Sequence, residues 1–292
     1  MHTNSSLSPR GCKLTRQRKS ELTLVEACQL GDCMKVHKLL EQGVSPNSVG
    51  TFGWTALQEA ASEERTAVVC LLCGFNCELD FLGTAGETAL HKCAANNDVK
   101  TMDALLSSGC GVDVRNSGGH SPLHVTAYHD HLEAAQLLLC YNADVRARDR
   151  WNQTPLHRAA ARGCTNMVKL LLNNSSDVLL QDDQGYTPLH LAAAWGCPLT
   201  VQVLLDAASD IYAKNRNNKT ATDVSQSSAG SSLLHAAACQ TPKLQYLCIL
   251  VIRKLLCNNP MQKINRLPVS QLLKDRIANV SLVERVQAMN TR

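Results

Sequence analysis

The chain is poor in aromatic residues, at 4% of 292. It also has no apolar run near the ~18 residues that a membrane-spanning helix needs. The longest candidate, Leu247 to Ile252, is far too short. Met1 to Pro9 holds no apolar stretch of the kind a secretory signal requires, so an intracellular protein is expected. No Gly-rich phosphate loop is present. No Ser/His/Asp or Cys/His arrangement stands clear of the periodic background described below, and no enzyme is expected. Fourteen Cys would suggest disulfides in a short secreted chain, but here they are scattered through a long one. Cys28, Cys70 and Cys164 lie in apolar helical patterns, where a reducing compartment leaves them as small hydrophobes. Cys70-x-x-Cys73 is half of a zinc pattern without a second Cys/His pair at ligand spacing, and a structural site needs four ligands. Neither a metal nor a cofactor is expected.

Acidic residues are missing from positions 1–20, which carry five basic ones. Residues 241–292 hold nine basic and two acidic side chains, so the overall charge of +4 conceals a body of net charge −8. A nucleic-acid partner along that body is excluded, because phosphate neutralisation needs a basic stripe there. The stretch Arg10 to Lys19 is either a nuclear signal, an anionic-surface contact or a solvated disordered tail, and the last is the simplest. The expected location is therefore cytoplasmic, with the nucleus added if the first holds.

What the sequence does contain is a four-residue phrase. Thr154-Pro155-Leu156-His157 returns intact as Thr187-Pro188-Leu189-His190. Near copies are Ser121-Pro122-Leu123-His124, Thr88-Ala89-Leu90-His91 and Thr55-Ala56-Leu57-Gln58, with a worn Thr220-Ala221-Thr222-Asp223 at the end. Each lead residue follows the last by 33, which makes this a repeat protein. Two residues before each lead stand Gly53, Gly86, Gly119, Asn152, Gly185 and Asn218, the residue types that tolerate positive φ in a tight turn. A second column reads Gly43, Asn76, Gly109, Asn142, Ser175 and Ala208, and its first four members suit the position just past a helix. Between the columns lie two short apolar-periodic stretches, such as Leu156 to Ala161 and Met167 to Leu172, separated by Gly163. Each unit reads as turn, helix, turn, helix.

The phrase, the period and the paired helices resemble the ankyrin repeat, over about residues 17–240. The fold class implied is an all-α ankyrin-repeat solenoid with short β-turn hairpin loops, six full repeats and a degenerate seventh. The repeats fall near 17–49, 50–82, 83–115, 116–148, 149–181, 182–214 and 215–240. The first lacks the phrase, with Leu22 at the lead position, Leu24, Ala27 and Cys28 in the inner core and Val36, Leu39 and Leu40 in the outer, as suits a terminal repeat. In the seventh, Ser225 to Ser232 is too polar for a helix core, and Leu233 to Ala237 offers a partial second helix. His91, His124, His157 and His190 sit at one fixed position per repeat, which in the family is a structural hydrogen-bonder and neither a catalyst nor a ligand.

In the family, the concave face is lined by residues one, three and four before the lead and seven and eight after it. Those columns collect Phe52, Trp54, Tyr128, Trp151, Tyr186 and Trp195, six of eleven aromatics and all three Trp. They also hold His129, Arg150, Arg162 and Arg216, with Arg146, Arg148 and Arg158 nearby. Exposed Trp and Tyr on one face are the material of an interface hot spot. The expected substrate contacts are Phe52, Trp54, Tyr128, His129, Arg150, Trp151, Arg158, Arg162, Tyr186 and Trp195, receiving a protein segment with acidic side chains.

The end of the chain changes character. Thr241-Pro242 is an N-cap and N1 pair, followed by Leu244, Cys248 and Ile252 at i, i+4, i+8 with Leu247, Val251 and Leu255 beside them. After Asn258-Asn259-Pro260 come Ile264 and Leu267-Pro268-Val269, then a second amphipathic pattern with Leu272, Leu273, Ile277 and Val280. Two short helices with wide apolar faces cannot bury both within so small a unit, which implies a partner. Leu244-x-x-x-Cys248-x-x-x-Ile252 resembles the elongin-binding helix of a suppressor-of-cytokine-signalling (SOCS) box, and Leu267-Pro268-Val269 its cullin-binding segment. Departures are Lys243 in place of a small residue or Pro, Ser270 in place of a second Pro, and Arg276 in place of an aromatic.

The order of array and box is similar to that of the ankyrin repeat and SOCS box family. The resemblance implies residues 1–16 as a basic disordered tail, 17–240 as repeats, 241–281 as a SOCS box and 282–292 as a C-terminal tail. It further implies a non-enzymatic substrate receptor of a cullin-RING ubiquitin ligase, acting by proximity. Elongin C, paired with elongin B, would be held by Leu244, Leu247, Cys248 and Ile252. Cullin-5 with its RING subunit would be held by Ile264, Leu267, Pro268 and Val269. The alternative is an ankyrin scaffold or inhibitor whose C-terminal helices only cap the array.

Overall fold

Short helices dominate because each repeat supplies a strong start and an enforced stop. In the computed structural model, which describes residues 9–207 and 209–240, contacts divide the chain into two compact units, Met1–Arg150 and Trp151–Arg292. The described part of the first unit is α1 (Pro9–Leu30), α2 (Cys33–Glu41), α3 (Ala56–Ser62), α4 (Thr66–Gly74), α5 (Ala89–Asn96), α6 (Val99–Ser107), α7 (Pro122–His129) and α8 (Leu132–Cys140). The described part of the second is α9 (Pro155–Arg162), α10 (Thr165–Asn173), α11 (Pro188–Ala194), α12 (Pro198–Asp206), α13 (Ala221–Val224) and α14 (Ser228–Gln240). Among the described residues the only extended pairing outside helices is an isolated bridge between Val49 and Thr55.

Most of these helices have seven to nine residues, below the ~12–15 at which isolated helices become even marginally stable in water. They persist because they stack. In the first unit α1, α3, α5 and α7 form an inner layer and α2, α4, α6 and α8 an outer one, each helix packing on its neighbour and on its repeat partner. In the second, α9, α11 and α13 form the inner layer and α10, α12 and α14 the outer. The third residue of the phrase is the main peg: Leu57, Leu90 and Leu123 in one unit and Leu156 and Leu189 in the other are at most 1% exposed. Burial of each contributes roughly 1.5–3 kcal/mol. Ala60, Ala61 and Ala94 in the first unit, and Ala159, Ala160, Ala192 and Ala193 in the second, are small enough to let inner helices approach.

All six residues of the turn column have positive φ, from 58° at Asn218 to 78° at Gly53. So do the five described members of the second column, Gly43, Asn76, Gly109, Asn142 and Ser175. A third column, 33 residues apart throughout, ends the inner helices in the same way: Gly31, Glu64, Asn97, Asp130, Gly163 and Gly196.

Two expectations are corrected. Residues 9–16, expected within a disordered tail, are helical, because Arg10, Lys13, Leu14 and Arg16 are good helix formers and extend helix α1 backwards. The stretch Ser225 to Ser232 was expected to be too polar for a helix core, yet α14 begins at Ser228 and runs thirteen residues. It does so with Ser228, Ala229 and Ser232 facing solvent while Gly230 and Leu234 are buried, so the polar residues never enter the core.

Candidate interaction surfaces

The phrase builds a cap and a clamp together. Thr88 caps α5, and its backbone N–H donates to Nδ1 of His91 at 3.3 Å. The opposite ring nitrogen lies 2.9 Å from the carbonyl oxygen of His120 in the next repeat. An N–H can only donate and a carbonyl only accept, so Nδ1 is the acceptor and Nε2 carries the proton. The same clamp joins His157 to the carbonyl of Tyr186 at 3.1 Å and His190 to that of Lys219 at 3.2 Å. His124 makes the cap with Ser121. In the second repeat Gln58 replaces the imidazole: its Oε1 accepts from the Thr55 N–H, and its Nε2 donates to the carbonyls of Phe81 and Glu87. All four His are at most 1% exposed. Burial holds His91 and His190 below the ordinary imidazole range.

Each clamped carbonyl also closes a hairpin loop. His120 O accepts from the Asn116 N–H, Tyr186 O from Asp182, and Lys219 O from Asn215, all within 3.0 Å. The Asn116, Asp182 and Asn215 side chains add two backbone N–H bonds apiece inside their own loops. Neighbouring loops are then joined through Arg150 N–H to Gly118 O in the first unit, and through Asp183 to Trp151 and Arg216 to Gln184 in the second. The loops are therefore rigid mounts, and what they carry outward is the candidate surface.

In the first unit Phe52 is 76% exposed. Trp54 is half-buried: its Nε1 donates to Thr84 Oγ1 at 3.3 Å, and Lys92 Nζ lies 4.1 Å from the ring centroid while paired with Glu87 at 2.6 Å. Tyr128, 42% exposed, meets His129 edge to face, and His129 stacks on His131 with centroids 5.5 Å apart. Arg150 is exposed on its loop.

In the second unit Trp151 is 49% exposed with the Arg158 guanidinium 5.3 Å from its ring centroid. Arg162 lies one turn further along α9 and is exposed, as is Trp195 at the end of α11. Tyr186 differs from these: it is half-buried with its ring against His190, a scaffold position as much as a contact one. The elongin residues Leu244, Leu247, Cys248 and Ile252 and the cullin residues Ile264, Leu267, Pro268 and Val269 lie outside the described residues, as do Ser270 and Arg276.

The sequence pattern missed two structural columns. Asn47, Asp80 and Asp113 accept from the backbone N–H of Glu78, Gly111 and Asp144 respectively, tying each outer loop to the next. Their common spacing of 33 was the available signal. The third positive-φ column is interrupted in the sequence by Glu64, which does not look like a turn residue.

Among the described residues no group of three or more His, Cys, Asp or Glu converges as metal ligands. Burial pushes the Cys28 and Cys110 thiols up to about 12, and that of Cys93 upward as well. No helix among the described residues is long and apolar enough to cross a membrane.

Comparison with known proteins agrees with the architecture. A family model for ankyrin repeats, in three copies, matches residues 24–116, 66–149 and 123–215. The crystal structure of the ankyrin repeat domain of Bcl-3, described as a unique member of the IκB protein family, aligns with TM-score 0.67 and 28% identity over 73% of this chain and 97% of that one. The human ASB11 ankyrin repeat domain aligns with TM-score 0.66 and 24% identity over 73% of this chain and 96% of that one, a likeness of fold. No curated protein matches at the level of sequence. With the repeat model spanning residues 24–215 and the clamp-and-cap phrase built as described, the chain belongs to the ankyrin-repeat family.

Proposed function

We propose that this chain is the substrate-recognition subunit of a cullin-RING ubiquitin ligase, joining a protein substrate on its repeats to elongins B and C and cullin-5 through residues 241–281. Ankyrin repeats are in general non-catalytic protein-interaction modules, which supports a receptor role for the array. The observation that carries the ligase half is the order of two sequence patterns: ankyrin repeats, then Leu244-x-x-x-Cys248-x-x-x-Ile252 followed by Leu267-Pro268-Val269. The receptor forms no covalent bond. Its contribution is proximity, which turns attack by a substrate Lys on a ubiquitin thioester into a nearly intramolecular event.

The repeat face supports the receptor half through residues mounted on rigid loops and inner helices. These are Phe52, Trp54, Tyr128, His129 and Arg150 in the first unit, and Trp151, Arg158, Arg162, Tyr186 and Trp195 in the second. The scaffold alternative needs the C-terminal helices as a cap. However, α14 already packs on α12 and buries Leu234, so an outer helix for the last repeat is present before residue 241.

The test is co-expression of the full chain with elongins B and C, followed by calorimetric binding of the purified complex to the N-terminal part of cullin-5. A stable ternary complex with cullin affinity is expected. Failure to form the elongin complex would return the chain to the scaffold class.

A further inference from the structure

The charge of the repeat body is unevenly placed. Residues 17–115, the first three repeats, carry thirteen acidic and eight basic side chains, a net of −5. Residues 151–240 carry six of each. The acidity belongs to the first unit, and part of it falls on the inner-helix face that also holds exposed apolar groups.

The repeat register shows how. Glu26 on α1 and Glu59 on α3 occupy the same position 33 residues apart, on helices that pack side by side. One turn further along, Leu30 and Glu63 again share a register. Glu26 and Glu63 are exposed, Leu30 is 75% exposed, and Phe52 on the preceding loop is 76% exposed. Glu59 is 6% exposed and has Gln29 as a hydrogen-bond partner at 3.4 Å. Glu59 and Glu63 are like charges at i, i+4, an arrangement that costs stability in an isolated helix.

Few cations of these repeats stand beside those carboxylates: Arg18 and Lys19 are exposed on α1, but at least seven residues before Glu26. Lys92 holds the register of Glu59 on α5 but is paired with Glu87 and lies over Trp54. Arg65 bonds the carbonyl of Gln29 from the N-cap of α4. Lys35 and Lys38 are on α2 and Lys100 on α6, in the outer layer. An acidic face with two large apolar side chains in the open is complementary to one kind of occupant.

We propose that the inner face of the first two repeats docks a Lys/Arg-rich segment of a partner protein that also presents a large apolar side chain, the cations meeting the exposed Glu26 and Glu63, with Glu59 buried between them, and the apolar group meeting Leu30 and Phe52. This reading rests on the array being the recognition surface and names its ligand chemistry. It assigns the first unit a basic ligand, in contrast to the acidic segment expected from the Arg and Trp residues of the later repeats. Charge pairs across such a face set specificity and association rate more than raw affinity, so salt dependence is part of the claim.

The test uses the full chain and a short fluorescein-labelled peptide alternating Lys, Arg and Leu, with a Glu-for-Lys/Arg analogue as the comparison, read by fluorescence anisotropy. Binding of the basic peptide alone is expected, weakening with added salt. Glu26→Lys with Glu63→Lys should weaken it by about tenfold or more, as expected for lost charge pairs at an interface. Phe52→Ala should weaken it without changing the salt dependence. Glu41→Lys with Glu78→Lys makes the same change of net charge on exposed residues outside this face and should leave affinity within about twofold. Equal weakening by both pairs would show attraction to net charge alone and overturn the proposal. So would binding of the acidic analogue, or no binding of the basic peptide to a chain whose thermal unfolding is intact. No ligase component enters the assay, so its failure leaves the elongin result untouched, and the reverse holds.

Discussion

His91 donates its Nε2 proton to the carbonyl oxygen of His120, 2.9 Å away in the following repeat, while its Nδ1 accepts from Thr88 at the start of its own helix. One buried ring thus satisfies a helix cap and a neighbouring loop together. The recurrence of the arrangement at His157 and His190 is why the fourth residue of the phrase is a histidine at all.

The ring is replaceable by any side chain of the same reach that accepts at one end and donates at the other, as Gln58 does in the second repeat. His91→Gln should cost less than about 1 kcal/mol, and His91→Ala about 1–3 kcal/mol from buried groups left without partners. Urea denaturation of the two variants beside the parent measures both.

Stability should fall in mild acid. Burial lowers the His91 and His190 pKa values below the ordinary 6.5, so the unfolded chain binds protons more readily than the folded one between those values. Their contribution is fully present above about pH 6.5 and is lost as pH falls through the folded values. Urea midpoints measured from pH 8 to 5 should decline below 6.5, and His91→Gln with His190→Gln should flatten the decline.

Backbone conformation gives a pair of opposite predictions. Glu64 has φ 58°, where a side chain is strained, so Glu64→Gly should stabilise by up to about 1 kcal/mol. Gly119 has φ 76°, and a Cβ there would lie 2.7 Å from the Arg150 backbone nitrogen. Gly119→Ala should therefore destabilise by about 2 kcal/mol or more. Thermal unfolding followed by circular dichroism distinguishes the signs.

For the proposed ligase role, Leu244→Asp with Cys248→Asp should abolish co-purification with elongins while the repeat unfolding transition stays where it was. Persistence of the complex would remove those residues from the interface.

Trp151 and Trp195 are 49% and 69% exposed, so truncating either to Ala should change stability by no more than about 0.5 kcal/mol. Both changes should weaken substrate capture in pull-downs from cells without affecting elongin binding. Unaltered capture by both variants would take these two residues out of the substrate face.

The sequence by itself determined the repeat length, the starts of the inner helices that follow the phrase, the turn columns at Gly53 to Asn218, and the buried Leu and His positions. These are local or strictly periodic, and a period of 33 exposes any residue that recurs for a physical reason. Tertiary structure decided the rest. That Glu64 sits at positive φ just past a helix follows from stacking that forces the chain to reverse there, against the preference of its side chain. That Ser228 begins a helix follows from a neighbour, α12, able to bury Leu234 and leave the serines in water. That Tyr186 is tied to His190 while Phe52 stands open is a matter of which surface each side chain meets, and no spacing along the chain encodes it.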